Sequence, residues 1–332
     1  MAWRPHHHAD RMREAITIIM MNQATVNKPC PDDGGGPTRT RRLMRCALVA
    51  LALFGAAPPA RALDTYRGDF VFNNPDFRDR YALGVLKAAL EASTEKYGPF
   101  ELTISPLIME RDRLMQEMVK GDMVNLTAQV TTEEWERKLI PIRIPVDKGF
   151  SGYRIFLIDG RRQGQFSAVG GLPQLRELAL GSGRQWSSTP VLLHNGFKVV
   201  TGSSVHNLQA MLAAERFMFF PRSVEEAVYE REAYAPGFTA LAIESELALY
   251  MPLARYFFVA PGERRLALRL EHGMRLLSAD GRLDRLFHQA YDDLIEKVGL
   301  RKRRIFKLEN PLLPPLTPLS NKAYWYDPVA RP

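Results

Sequence analysis

The fold is decided by the segment Tyr153-Arg154-Ile155-Phe156-Leu157-Ile158, a nearly unbroken apolar run. A short run of this kind predicts a buried strand. Short apolar runs alternate with amphipathic stretches before it, over 63–152, and after it, up to residue 254. Because alternating strands and helices are typical of α/β proteins, we expect an α/β unit on each side of this strand.

The end of the chain carries the clearest helix pattern. Its apolar positions form one continuous stripe, and Gly299 follows as a stop signal. The tail from Asn310 begins with four prolines within residues 311–318, which exclude a helix or a central strand there, so we expect the tail on the surface. The stripe consists of Leu283, Leu286, Phe287, Ala290, Tyr291, Leu294, Ile295 and Val298.

Residues 1–62 differ from the rest in charge and pattern. They hold nine Lys or Arg and four Asp or Glu, so five of the eight net positive charges of the 332-residue chain lie there. Basic residues at 41–45 precede an apolar run over 46–57, and Ala60-Arg61-Ala62 follows. This order is typical of a secretory signal peptide. We expect a disordered leader, cleavage after Ala62 and a mature protein in the periplasm.

Two alternatives stay open at the start of the chain. Residues 1–40 show no sustained period, so Met44 is an alternative to Met1 as the first translated residue. Arg41-Arg42 is compatible with a twin-arginine signal, although an ordinary export signal fits the segment better.

Several kinds of chemistry are disfavoured by residue type. Both cysteines, Cys30 and Cys46, lie in the leader, which excludes disulfides, zinc fingers and a cysteine nucleophile from the rest of the chain. There is no HExxH, P-loop or GxSxG motif, and the later histidines lack metal-ligand spacing. The basic run over 301–304 follows a helix end, where cations suit the helix dipole. We expect no cofactor, no metal, no nucleic-acid partner and no catalysis.

Five segments, taken in order, resemble periplasmic solute-binding proteins of the type 2 fold, in the class that serves polar amino acid transporters. Together they cover most of 66–298. They are the exported leader, the strand and helix from Asp69 to Ala92, Lys120-Gly121-Asp122-Met123-Val124, Tyr256-Phe257-Phe258-Val259-Ala260-Pro261, and Asp280-Gly281-Arg282-Leu283-Asp284-Arg285-Leu286.

The resemblance implies two α/β lobes joined by two hinge strands, near 153–158 and 255–259. Lobe 1 is then discontinuous, comprising 63–152 plus 255–332, and lobe 2 comprises 153–254. A ligand that bridges both lobes stabilises the closed state through contacts that the open state lacks.

Candidate ligand residues on lobe 1 are those at strand ends and helix N-termini, which face the cleft in such folds. These are Asn73, Thr127 and Gln129, the last two on one side of a strand. The family's carboxylate-binding arginine lies in a T-x-E-R run, and its nearest match here is Arg137, at a different spacing. Ordinary capping or loop hydrogen bonds are the alternative for each residue.

Candidate ligand residues on lobe 2 follow two predicted strands. Arg184 is a candidate partner for an anionic group and Trp186 for an aromatic wall; the alternatives are a surface arginine and a core tryptophan. Ser203 and Ser204 stand at a helix N-terminus, where free backbone N–H groups favour anions, although a simple N-cap also explains them.

Arg222 is the best single candidate for an anion clamp. It follows the apolar strand at 217–220 after a proline, so it leaves a buried strand at its cleft end. The alternative is an ion pair with Glu225 or Glu226.

Our leading hypothesis is a solute-binding protein that captures a small polar ligand, amino-acid-like solutes included, for the permease of an ABC transporter. We expect a monomer that touches the membrane only through a membrane-protein partner. One alternative is an exported lyase or dehydratase on the same scaffold, which needs a buried acid or base in the cleft. The other is a sensing subunit that docks on a membrane receptor.

Overall fold

Two β-sheets organise the chain. A computed structural model describes residues 63–69, 77–105 and 109–329, so the predicted signal peptide and Asn73 lie outside the described residues. The described strands are β1 (Asp64–Asp69), β2 (Phe100–Ile104), β3 (Leu126–Val130), β4 (Ile140–Ile142), β5 (Tyr153–Asp159), β6 (Leu180–Gly183), β7 (Val199–Gly202), β8 (Phe219–Ser223), β9 (Leu241–Ile243), β10 (Leu247–Tyr250), β11 (Arg255–Val259) and β12 (Arg304–Lys307).

Helices alternate with the strands over most of the chain, as the sequence pattern predicts. Short 3₁₀ turns lie at Phe150–Gly152, Gly160–Arg162, Leu300–Lys302 and Lys322–Tyr324. The described α-helices are α1 (Phe77–Ala92), α2 (Thr94–Tyr97), α3 (Arg111–Lys120), α4 (Glu133–Lys138), α5 (Gln163–Ser167), α6 (Leu172–Glu177), α7 (Ser188–His194), α8 (Val205–Ala213), α9 (Val224–Tyr234), α10 (Arg264–Ala279) and α11 (Arg282–Lys297).

The strand order separates the two sheets. The first sheet has the order β2-β1-β3-β11-β4, with β1 parallel to β2 and β3, and β11 antiparallel to β3 and β4. The second has the order β12-β10-β5-β8-β6-β7, and β9 also pairs with β5. In the second sheet β6 runs parallel to β7 and β8, and β5 runs antiparallel to β8.

The chain passes between the sheets three times in its described part. The connections are 143–152, 251–254 and 298–303. The two strands expected to be hinge strands each belong to one sheet, β5 to the second and β11 to the first. The short segments that precede them therefore make the crossings.

The third connection differs from the expected lobe 1. β12 pairs in parallel with β10, with Leu247 opposite Arg304 and Tyr250 opposite Lys307, so the chain after α11 joins the second sheet. Without β12, β10 would expose a row of unpaired backbone groups at the sheet edge. The segment 255–332 is thus divided between the two sheets.

The predicted final helix is present as α11. Its buried residues Leu283, Phe287, Tyr291 and Ile295 recur at every fourth position, as one face of an amphipathic helix requires. Gly299 follows the helix with φ of 62°, a left-handed conformation that glycine adopts without steric cost.

The tail returns to the first connection between the sheets. The backbone N–H of Tyr326 donates to the Lys148 carbonyl oxygen at 2.8 Å, and the Tyr153 hydroxyl donates to the Tyr326 carbonyl oxygen at 2.9 Å. Gly149 lies under the Trp325 ring with φ of 67°, and a Cβ there would meet the ring at 2.4 Å. The proline-rich part at 311–318 has no helix or strand, as expected, but the end of the tail is packed against this connection.

Candidate ligand-binding cleft

A cavity of about 720 Å³ lies between the two sheets. The parallel strands β3, β6, β7 and β8 all end at it, which is where α/β sheets commonly bind ligands. Its walls are formed by Asp79, Glu110, Arg111, Gln129, Val130, Ser151, Arg154, Gly183, Arg184, Gln185, Trp186, Ser187, Ser188, Gly202, Ser203, Val205, Arg222, Glu226 and Arg255.

Arg255 forms part of the first-sheet wall. It is the first residue of β11, opposite Val130 at the end of β3, and it is buried. Its Nη2 donates to Asp79 Oδ1 at 2.7 Å, and its Nε donates to the Ala128 carbonyl oxygen at 3.3 Å. The ion pair joins the first turn of α1 to the start of β11, so the positive charge of Arg255 is balanced within the first-sheet wall.

Arg111 lies on the same wall, in the first turn of α3. Its Nη1 donates to Gln129 Oε1 at 3.0 Å and its Nη2 to the Val130 carbonyl oxygen at 2.6 Å. Its guanidinium lies over the Trp135 ring, 4.6 Å from the centroid. Burial lowers the pKa of Arg111 to about 10, so the group remains a cation at neutral pH. Both hydrogen-bond acceptors of Arg111 are neutral oxygens, whereas Arg255 also donates to the carboxylate of Asp79.

Asp69 ends β1 close to this wall, although it does not line the cavity. Burial, and to a smaller extent the charge of Asp79, raises the pKa of Asp69 to about 6. The Thr127 hydroxyl donates to the Asp69 backbone carbonyl at 3.4 Å. The carboxyl group is thus protonated more readily in the folded chain than in the unfolded chain.

We predict that Asp69→Asn increases stability at neutral pH. Since the folded pKa is raised above the unfolded value, the favourable contribution of Asp69 is complete below about pH 4 and disappears as pH rises through about 6. The free energy of unfolding of the variant should exceed that of the parent by about 3 kcal/mol at pH 7.5, and by less at pH 5. Urea unfolding at both values measures this, and an equal difference at both contradicts it.

Arg222 anchors the wall of the second sheet. β8 leads directly into α9, so positions four and eight residues after Arg222 face back toward it. Its Nε donates to both carboxylate oxygens of Glu230 at 2.9 Å, and its Nη2 lies 3.3 Å from Glu226 Oε1. Its guanidinium lies 4.3 Å from the Trp186 ring centroid, and Trp186 stacks on Phe220.

Glu226 connects several parts of this wall. It accepts from the backbone N–H of Ser223 at 3.0 Å in a capping box that starts α9, and from Arg154 Nη1 at 3.3 Å. Both Arg154 and Arg222 therefore face carboxylates of the same cavity wall. An incoming anion would compete with those carboxylates for either arginine.

Arg184 has a different environment on the same wall. It follows β6 in an exposed turn whose backbone N–H donates to the Gly202 carbonyl oxygen at 3.2 Å. Among the described residues, its side chain makes no ion pair with a carboxylate. It is therefore a second cavity cation, besides Arg111, that forms no ion pair with a carboxylate among the described residues; Arg111 feels the charges of Asp112 and Glu134 only at longer range.

The cleft brings together five of the predicted site residues. Gln129, Arg184, Trp186, Ser203 and Arg222 all line the cavity. For Arg222 the ion-pair alternative is also realised: it pairs with Glu226, one of the two expected partners, and with Glu230. Whether these residues bind a ligand stays a prediction.

The other predicted site residues lie elsewhere. Thr127 is buried within β3 and does not line the cavity. The Ser204 hydroxyl accepts from the backbone N–H of Asn207 at 3.1 Å and caps α8, so the simple N-cap offered as the alternative for this residue is present. Arg137 is exposed on α4, away from the cavity lining.

Three arginines of the cavity were not among the predicted site residues. Arg154 and Arg255 each interrupt or open a strongly apolar strand, and a cation in such a strand is the sequence signal that could have identified them. Arg111 stands in the charged run Glu110-Arg111-Asp112-Arg113, which has the pattern of an ordinary solvated helix start.

Comparison with known proteins supports the fold. No protein-family model matches the sequence, and no curated protein matches it. Among solved structures, a probable amino-acid ABC transporter extracellular-binding protein of Bacillus subtilis is similar, with a TM-score of 0.52 and 14% identity over 70% of this chain and 99% of that chain. The chain has the type 2 periplasmic binding protein fold.

Two further structures with the type 2 fold are similar at lower scores. An ancestral arginine-binding protein bound to arginine has a TM-score of 0.48 and 14% identity, over 68% of this chain and 98% of that chain. The periplasmic VFT2 domain of BvgS from Bordetella pertussis has a TM-score of 0.48 and 16% identity, over 68% and 92%.

The predicted α/β fold of type 2 with two sheets is thus confirmed. In its described part, the chain has no helix that combines the length and the apolar character needed to cross a bilayer.

Proposed function

We propose that the chain is an extracytoplasmic solute-binding protein that captures a small polar ligand and delivers it to an ABC transporter. The observation that supports this most is the cavity of about 720 Å³, lined from both sheets by charged and polar side chains. A site shared by two lobes lets a ligand favour the closed state, because it touches both walls only when they are close.

Binding without catalysis fits the carboxylates of the cavity. A general acid or base must reach the substrate and titrate near the working pH. Asp79 and Glu226 are held in ion pairs with arginines, and Glu110 is exposed rather than buried. Asp69, whose pKa is raised to about 6, is not among the cavity-lining residues. The exported-enzyme alternative therefore gains no support from the described cleft.

Delivery to a transporter and export to the periplasm rest on two observations. The similar Bacillus subtilis protein is named a probable extracellular-binding protein of an amino-acid ABC transporter. The sequence of residues 41–62 has the order of a secretory signal. We propose that the mature protein acts in the periplasm, as a monomer, and that a permease receives its ligand.

A thermal-shift screen followed by calorimetry tests the proposed function. The panel should contain amino acids, amines, organic acids, sugars and short peptides. A ligand at one hundred times its dissociation constant should stabilise the protein by about 2.7 kcal/mol. Recovery of the ligand unchanged distinguishes binding from turnover, and conversion to a product would contradict the proposal.

A further inference from the structure

We propose that the ligand is a diacid, whose two anionic groups are bound by Arg111 on one wall of the cavity and by Arg184 on the other. This inference rests on the proposed function, because it names the class of solute that the same cavity takes.

The first step is the charge balance of the cavity arginines. Arg154, Arg222 and Arg255 each lie within ion-pair distance of a carboxylate of their own lobe. A ligand carboxylate at any of them would displace or crowd an existing carboxylate. These three arginines therefore shape the walls without offering an uncompensated positive charge.

The second step concerns Arg111 and Arg184, which differ from the other three. Within the part of the chain that the structure describes, neither forms an ion pair with a carboxylate, and both line the cavity. Glu110, also at the cavity, is exposed and adjacent to Arg111 in the chain, but it forms no ion pair with Arg111 within the described residues. The cavity therefore presents two cations whose natural partners are oxygen anions.

The third step is the orientation of Arg111. Two neutral oxygens, of Gln129 and Val130, and the face of Trp135 fix its guanidinium, so little side-chain freedom is lost when an anion binds. An arginine carries five N–H donors, and Gln129 and Val130 accept from only two of its nitrogens. The remaining donors suit a carboxylate. Arg111 is also the first residue of α3, a ten-residue helix, so the positive end of the helix dipole lies at the cavity.

The fourth step is the position of the two cations on opposite walls. Arg111 belongs to the first-sheet wall, and Arg184 follows β6 of the second sheet. A ligand with one carboxylate can pair with only one of the two arginines, whereas a diacid can pair with both and so connect the two walls. A diacid therefore gains more from the closed state than a monoacid of the same length, which is the selectivity that a closing cleft can use.

Isothermal calorimetry on the full chain tests the inference with succinate, glutarate and adipate as diacids. Butyrate, glutaramide and putrescine serve as monoacid, neutral and dicationic probes. The variants are Arg111→Gln and Arg184→Gln, and the matched control is Arg137→Gln, an exposed arginine outside the cavity. Unfolding curves without ligand show whether each variant folds, and Arg184→Gln, at an exposed position, tests the inference even if Arg111→Gln is unstable.

We expect at least one diacid to bind more tightly than the other probes, each cavity variant to weaken it about 10- to 100-fold, and Arg137→Gln to leave it unchanged. Tighter binding of a neutral or cationic probe would overturn the assignment of a diacid as the ligand and leave the solute-binding function intact. Diacid binding that both cavity variants leave unchanged would overturn the assignment of the two arginines. If no probe and no member of the wider panel binds, the proposed function fails together with the inference.

Discussion

Replacing Arg269 by alanine is expected to reduce the free energy of unfolding by about 3–5 kcal/mol, the usual loss when one partner of a buried ion pair is removed. Arg269 lies in α10 and is completely buried. Its Nη1 donates to Asp64 Oδ2 at 2.8 Å, its Nε to Ser93 Oγ at 3.1 Å and its Nη2 to the Gly98 carbonyl oxygen at 2.7 Å. One side chain thus joins β1, the end of α1 and the loop before β2, and its loss leaves their polar atoms unsatisfied.

Arg265→Ala is the matched control for Arg269→Ala. Arg265 is in the same helix and donates to the same carboxylate, with its Nε 3.0 Å from Asp64 Oδ1, but its side chain is 58% exposed. An exposed ion pair contributes about 0–1 kcal/mol. Urea unfolding of both variants measures the difference between their free energies of unfolding, for which their m-values should be similar. Equal losses for the two arginines would contradict the central role given to Arg269.

Gly273→Ala is expected to destabilise the fold by about 1–3 kcal/mol, near the upper end of this range. Gly273 lies where α10 packs against α1, and a Cβ at this position would be 2.1 Å from the Ala89 carbonyl oxygen. The obstacle is backbone, so the helices themselves must move apart. Glycine is therefore required here for close approach, although alanine is the better helix former.

Gly84→Ala should have the opposite sign and is the control for Gly273→Ala. Gly84 is exposed in α1, and a Cβ there would have no atom within 4 Å. Alanine should stabilise the helix by about 0.5–1 kcal/mol, because it has less conformational freedom to lose on folding. Thermal or urea unfolding measures both changes, and a stabilising Gly273→Ala would contradict the packing described for α1 and α10.

The sequence predicted the parts of the fold that depend on local pattern. The apolar runs became β5 and β11, and the stripe through Phe287 and Tyr291 became α11. β12 was missed because Arg304–Lys307 is short and continues a basic cluster, and because its pairing with β10 joins positions more than fifty residues apart. A pairing of that kind leaves no periodic signal within the segment.

The position of the candidate site could be predicted from the sequence, but the ion pairs of its arginines could not. Strand ends correctly indicated that Gln129, Arg184 and Arg222 would line a cleft between the sheets. The sequence could not choose among the acidic partners of Arg222, since several glutamates follow it. In the structure Glu226 and Glu230 lie within ion-pair distance of its guanidinium. Arg111 was missed because neighbouring charges of both signs resemble a solvated surface.

The central claim is that the cleft closes on its ligand, and a distance between two spin labels tests it most directly. Residues 61–332 contain no cysteine. Cysteines introduced by Arg113→Cys on α3 and His206→Cys on α8, both at exposed positions, would therefore be the labelled sites of this part of the chain. These positions lie on elements that border opposite walls of the cavity. We predict that a saturating ligand shortens and narrows the distribution of label distances by several ångströms. An unchanged distribution at saturation would contradict closure.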